Sequence, residues 1–164
     1  ADNTRHEVDV IIYGTGFHTT TAFDHLDITG RDERSLQQAW AAGMEANLGT
    51  CIHGFPNYFM LLGPNTGLGH NSVVLMIEAQ VEHIIDLMNE VRDRGAGVVE
   101  VDRTTQRSWQ EEIQGRLSSS VWQAGGCQSW YQDENGKNTT LWPGTVTEYQ
   151  RRMRAAGARG YTIA

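Results

Sequence analysis

Positive charge is in short supply. Lys plus Arg number 13 against 20 Asp plus Glu, a net charge of −7. An acidic surface of this kind argues against nonspecific association with nucleic acid or an anionic membrane. Long apolar runs are missing too, since none reaches the ~20 residues that span a bilayer. Cysteine is nearly absent: Cys51 and Cys127 cannot build a structural zinc site by themselves. Two thiols in a reducing, cytoplasmic setting are the expectation, with a single disulfide as the alternative. No basic-then-apolar leader opens the chain, so no secretory signal is expected. The sequence begins Ala-Asp-Asn rather than Met, which suits processing or a piece of something longer. Three catalytic patterns are also lacking. There is no Gly-x-Ser-x-Gly nucleophile elbow and no Gly-Lys-Ser/Thr ending of a phosphate loop. No metal-type spacing links His6, His18, His25, His53 and His83, so no metal site and no catalytic side chain are assigned.

What is present suffices for a core: 39% hydrophobic and 20% charged residues over 164 positions, one domain or parts of two. Residues 8–13 (VDVIIY) form a β-branched run closed by Gly14-Thr15-Gly16, the pattern of a buried, parallel strand. Residues 18–35 are turn-rich, and Ser35 is placed to cap a short helix through Leu36, Ala39, Trp40 and Met44. Residues 58–62 (YFMLL) read as a second buried strand, ending in the glycine-rich stretch 63–72 (GPNTGLGHNS). A long helix follows. Val73, Ile77, Val81, Ile84, Met88 and Val91 recur at three- and four-residue steps, with Glu78, Glu82, Asp86 and Glu90 on another side. Asn71 or Ser72 is its natural N-cap and Gly95 its stop.

Residues 97–101 predict a short strand and residues 104–117 a helix with Trp109, Ile113 and Leu117 together. From 118 to 143 the pattern turns β-like and aromatic, and Glu134-Asn135-Gly136 marks a hairpin turn. Thr145 with Glu148 fits a capping box for a last helix, whose Arg151, Arg152 and Arg154 suit docking on an acidic neighbour.

Three constellations stand out. Glycines directly after residues 8–13 would let backbone approach a ligand closely. Thr19 replaces the third glycine of a dinucleotide fingerprint, and a plain tight turn is the alternative. The stretch 63–72 places free N–H groups and a helix N-terminus at one spot, which suits a phosphate, a carboxylate or a ring that becomes anionic. An ordinary capped helix is its alternative. Residues 127–131 (CQSWY) with 138–144 (NTTLWPG) could stack on a flat ligand, or simply pack a tryptophan-rich hairpin on the core.

At these residues the sequence resembles a known family. Residues 8–17 (VDVIIYGTGF) are similar to the "ATG" segment of flavin-dependent monooxygenases, with Gly14 in place of the usual alanine. Residues 55–80 (FPNYFMLLGPNTGLGHNSVVLMIEAQ) look like the family's last FAD-domain strand, flavin-facing loop and helix. Residues 126–131 and 138–144 are similar to the C-terminal segment of Baeyer–Villiger monooxygenases. The resemblance covers nearly the whole chain and about the last third of such an enzyme. The GxGxxG fingerprints and the FxGxxxHxxxW signature are not in it.

The resemblance implies an α/β fold: a partial FAD-binding Rossmann-like region over residues 1–100 and a C-terminal α+β appendage over residues 101–164. It implies FAD and NADPH as cofactors, and O2 plus a small organic substrate. One oxygen atom would enter a ketone, or a sulfide or amine, through a C4a-peroxyflavin. Thr15, Gly16, Asn65, Thr66, Gly67, Leu68 and Gly69 would contact cofactor, and Trp130 would belong to a mobile loop folding over NADP. The missing FAD and NADPH segments, or a partner chain carrying them, would complete the enzyme. This chain alone would be inactive, and its bared apolar surface would favour self-association. Two alternatives stay open: another two-dinucleotide flavoprotein, such as an NADPH oxidase or reductase, and a non-catalytic flavin- or partner-binding remnant.

Overall fold

The computed structural model describes residues 4–14, 23, 25–126 and 129–164. Its elements in chain order are α1 (Leu36–Ala39), α2 (Val73–Asp93), β1 (Val99–Val101), α3 (Arg103–Ser118), α4 (Val121–Ala124), α5 (Val146–Ala156) and β2 (Tyr161–Ile163). The architecture is mixed α/β: among the described residues, packed helices and one small sheet in which β1 and β2 pair antiparallel, Val99 opposite Ile163 and Val101 opposite Tyr161. Among the described residues no helix is long and apolar enough to cross a membrane.

The helix starts follow the capping chemistry. The Ser35 hydroxyl accepts from the Gln38 N–H, and the Gln38 side chain accepts from the Ser35 N–H, a complete capping box. Ser72 Oγ accepts from Val74 N–H at the head of α2, and Thr145 Oγ1 from Glu148 N–H at the head of α5. The Glu148 side chain does not close the second box. It is drawn off by Arg116, which reaches both its oxygens at 2.6 and 3.0 Å. Arg152 pairs with Glu112 and Glu148, and Arg154 with Glu82, so the basic tail does dock on acidic neighbours.

Two expected strands do not form. Residues 8–13 belong to no strand, and Val8, Val10, Ile11, Ile12 and Tyr13 are all exposed. A buried parallel strand needs neighbours on its edges and helices on its faces, and the described residues supply neither. Residues 58–62 make one isolated bridge, Phe59 to Cys51. Left-handed residues bracket them, Asn57 at φ 58° and Leu62 at φ 51°, and they break the extended run. The expected parallel-sheet region is therefore not present as a doubly wound sheet among the described residues. Residues 118–143 also depart from a β reading. Among the described residues they hold α4 and two isolated bridges, Leu141 to Gly67 and Gln132 to Asn138, the latter around the expected turn, where Asp133 N–H donates to Lys137 O and Gly136 N–H to Asp133 O.

Helix α2 is in place, but its buried side is not the expected stripe. Met76, Ala79, Gln80, His83 and Leu87 face inward. Val74, Val81, Ile85 and Met88 form an apolar face on the outside, 38–58% exposed. The inward side packs on the main core of Leu48, Trp109, Ile113, Leu141, Trp142, Tyr149 and Met153. There Trp109 and Trp142 stack nearly parallel at 5.8 Å. The Arg152 guanidinium lies over both rings and that of Arg116 over Trp142, so the ion pairs of α5 roof the aromatic core.

Candidate functional site

The glycine-rich stretch is fastened on three sides. From below, Gln80 reaches out of α2: its Nε2 donates to Gly49 O and Thr50 Oγ1, and its Oε1 accepts from Leu62 N–H, all at 3.0 Å. Beside it, the turn at residue 49 crosses residues 64–66 so closely that a Cβ on Gly49 would sit 2.1 Å from Thr66 Cγ2, at a φ of +62°. Only glycine serves there. On the third side the stretch runs beside residues 138–142 as a parallel bridge, Gly67 to Leu141. Asn65 N–H donates to Thr139 O, Gly67 N–H to Thr140 O and Trp142 N–H to Gly67 O.

Within this frame the expected contact residues divide. Asn65 and Thr66 are fully buried. Asn65, at φ 59°, donates through Nδ2 to Asn138 O and Leu141 O, and Thr66 Oγ1 donates to Gly63 O. Both side chains point into the protein and shape the loop. Gly67 is spent on the bridge to residues 140–142. Leu68 packs partly on the main core, and Gly69 is exposed. The N–H groups of Leu68 and Gly69 have no hydrogen-bond partner among the described residues, and they stand just before the 21-residue helix α2. Asn65 Oδ1, Asn138 Nδ2 and Thr139 Oγ1 are buried behind them without a partner among the described residues. Thr15 and Gly16 lie outside the described residues, as does Cys127.

Trp130, half exposed, packs against Tyr131 at 4.9 Å, and Tyr131 meets Trp122 edge-on at 5.3 Å. A Cβ on Gly69 would lie 4.0 Å from the Trp122 ring, so the aromatic trio stands beside the open end of the loop. Trp142, by contrast, is core, as the packing alternative had it. Two residues escaped the sequence reading. Gln80 sits at the 76/80/83 spacing of the truly buried helix face, a signal present in the sequence. Trp122 lies in a stretch read as strand, and only its placement on α4 brings it to the loop.

The ionisable groups nearby are structural. Burial pushes the Cys51 thiol up to about 12, against a hydrogen bond from Tyr161, so it is no nucleophile. His83 is pulled down to about 4 by burial, partly offset by Asp86. Its Nε2 meets Tyr161 Oη at 3.0 Å, and Asn47 Nδ2 donates to the same hydroxyl. Glu100 is penalised by burial, yet the Arg31 hydrogen bond, the Gly54 N–H and His53 outweigh it and hold it below the usual carboxylate range.

No family model matches the chain. Over 99% of its length it is 41% identical to a Baeyer–Villiger monooxygenase of Streptomyces coelicolor, covering 32% of that protein. It is 44% identical to one of Pseudomonas aeruginosa over 96% of the chain and 30% of that protein. A solved OTEMO structure, in complex with FAD and NADP, superposes on 99% of the chain with a TM-score of 0.80 at 28% identity, covering 31% of that structure. The chain thus spans about a third of the length of its relatives. Over that third it is homologous to the Baeyer–Villiger, type I flavin-dependent monooxygenase family.

Proposed function

We propose that this chain supplies the flavin-ring face and the C-terminal appendage of an FAD- and NADPH-dependent monooxygenase. Such an enzyme inserts one oxygen atom of O2 into a ketone, or into a sulfide or amine. The observation that carries the reading is the loop: two N–H groups without a partner among the described residues, on Leu68 and Gly69, standing before the N-terminus of a long helix. Bound FAD would supply hydride acceptance from NADPH and O2 activation. The chain fits the group at this place, because donors and a helix dipole converge where a ring edge would gain negative charge.

In this reading Leu68 and Gly69 donate through backbone, while Asn65, Thr66 and Gln80 keep them in place without touching the ring. An oriented helix end favours a neighbouring negative charge by ~0.3–1 kcal/mol when exposed and up to ~2 when partly buried. That stabilises the reduced, anionic form and raises the potential modestly. Thr15 and Gly16 would lie near the flavin or the nicotinamide, as the family resemblance implies. Trp130, with Tyr131 and Trp122 behind it, closes over NADP and excludes water rather than moving a proton. Residues 1–100 form the flavin part and residues 101–164 the appendage. The bare face of Val74, Val81, Ile85 and Met88, together with residues 8–13, is covered by the remaining two thirds of such an enzyme, in the same polypeptide or in a partner chain. Without that cover the chain is inactive and self-associates.

The test joins this chain to the FAD and NADPH segments its relatives possess, then asks for three things: retained FAD, NADPH consumption, and substrate one oxygen heavier. Retained FAD with peroxide as the only product from a broad panel of ketones, sulfides and amines would favour an NADPH oxidase. Failure to hold FAD at all would reject the flavin reading.

A further inference from the structure

A second cleft, of about 360 Å³, lies between α3 and the segment from residue 34 to residue 53, and it shares no residue with the glycine loop. One side is a stripe of α3: Arg103, Gln106, Arg107 and Gln110, at i, i+3, i+4 and i+7. That spacing keeps all four on one helix face. The lining also takes in Trp40 and Ile52, both largely buried, and the exposed Arg34.

Two imbalances mark this cleft. The first is charge. Arg107 is neutralised by Glu111 on its own helix at 2.8 Å. Glu45 is engaged by Lys137 at 3.8 Å and by Gln106 Nε2 at 3.2 Å. Arg34 and Arg103 have no ion pair among the described residues, so the unmatched charge in the lining is cationic. The second is polar satisfaction. Gln106 and Gln110 are both 7% exposed and lie one turn apart. Gln106 is fully used, its Oε1 accepting His53 N–H at 2.6 Å and its Nε2 donating to Glu45. Gln110 has neither its Nε2 nor its Oε1 paired among the described residues. A buried amide with both atoms idle is rare in folded proteins and calls for a missing partner.

We propose that this cleft binds a small organic anion, a carboxylate carried on a flat apolar body. The carboxylate seats between Arg34 and Arg103, in the geometry guanidinium groups provide for it. The body lies against Trp40 and Ile52, and a small rotation of the Gln110 amide turns it onto the ligand. The site stands apart from the flavin reading and from any oxygenation reaction.

Benzoate is the probe, titrated into the chain, isotopically labelled and joined to the FAD and NADPH segments its relatives possess, and followed by the Gln110 side-chain amide and Trp40 indole N–H resonances. Both signals are expected to move saturably with one-to-one stoichiometry. The paired substitution Arg34→Gln and Arg103→Gln, at two exposed positions, should leave the melting temperature unchanged and weaken binding at least ~10-fold by removing both charge-assisted contacts. Gln110→Leu should also weaken it, while raising the melting temperature, because an idle buried amide is replaced by an apolar side chain. The proposal is overturned by the absence of saturable movement, or by movement that survives the double arginine substitution. It is overturned equally by inorganic phosphate binding as tightly as benzoate, which would deny any use of the apolar wall.

Discussion

Gln80→Leu isolates the hydrogen bonds that seat the glycine loop, because the two side chains are close in volume and little cavity is opened. Gln80 is completely buried and holds three partners. Their fates differ after substitution. Gly49 O is buried and would be stranded, at a cost of ~1–3 kcal/mol. Thr50 Oγ1 keeps its bond to Leu48 O and loses only the incoming donor. Leu62 is 39% exposed, so water replaces Gln80 there. The two lesser losses add ~0.5–1 kcal/mol together, giving about 1.5–4 kcal/mol in all. For a domain of this size that lowers the melting temperature by about 5–15 °C. Thermal and urea denaturation measure the loss. Amide hydrogen exchange should show residues 62–67 opening faster, while the centre of α3 is unchanged. Glu78→Gln, on the exposed side of the same helix, is the control and should stay within ~0.5 kcal/mol. Thr50→Val combined with Gln80→Leu should cost less than the sum of the two, since they share a bond. A Gln80→Leu loss below ~0.5 kcal/mol, or strict additivity with Thr50→Val, would refute the idea that this glutamine anchors the loop.

Three further outcomes can be checked. Gly67→Ala places a Cβ 2.9 Å from Thr140 O, so the bridge to residues 140–142 must shift. In the complete flavoprotein the expected result is at least ~10-fold weaker FAD retention, as close contacts tolerate little displacement, measured by equilibrium dialysis. His83 is neutral when folded, with its pKa near 4 against 6.5 unfolded. The unfolded chain therefore binds the extra proton, and stability is lost as pH falls from about 6.5 to about 4, by up to ~3 kcal/mol. Urea midpoints across that window should flatten in His83→Phe. Trp130→Ala in the complete enzyme should weaken NADP binding and raise uncoupled peroxide release, read by NADPH consumed per product formed, and unchanged values of both would count against the gating role.

Much of the helical half was legible. Ser35, Ser72 and Thr145 announced three helix starts because a hydroxyl at that position answers a local need of the backbone. The strand at residues 99–101 and the turn at residues 133–137 were likewise local in cause. What escaped was set by distant partners. β2 exists because residues 161–163 find β1 from sixty residues away, and no periodicity marks so short a strand. The Arg31–Glu100–His53 cluster joins three separated segments. At the candidate site, the loop and its glycines could be read from the sequence. The inward aim of Asn65 and Thr66 could not, because it depends on the crossing of residues 64–66 over the turn at residue 49.

The phase of α2 shows how the remaining errors are related. Its sequence carries apolar residues on two sides, and the periodic stripe through Val73, Val81 and Met88 is the more regular of them. A helix with one apolar stripe buries that stripe. This helix instead buries Met76, Gln80, His83 and Leu87, two of them polar, because Gly49, Thr50, Leu62 and Tyr161 supply partners for their hydrogen-bonding atoms. The outer stripe is left bare, as are residues 8–13, which carry the composition of a strand covered on both faces. One explanation, resting on the proposed function, serves both misreadings: sequence patterns record the surfaces a segment is built to bury, and in a complete flavoprotein the remaining two thirds would supply the partners for these two. Covering the stripe with the rest of a flavoprotein should therefore slow exchange at the amides of residues 8–13 and of α2 together. Protection of one without the other would break the link between them.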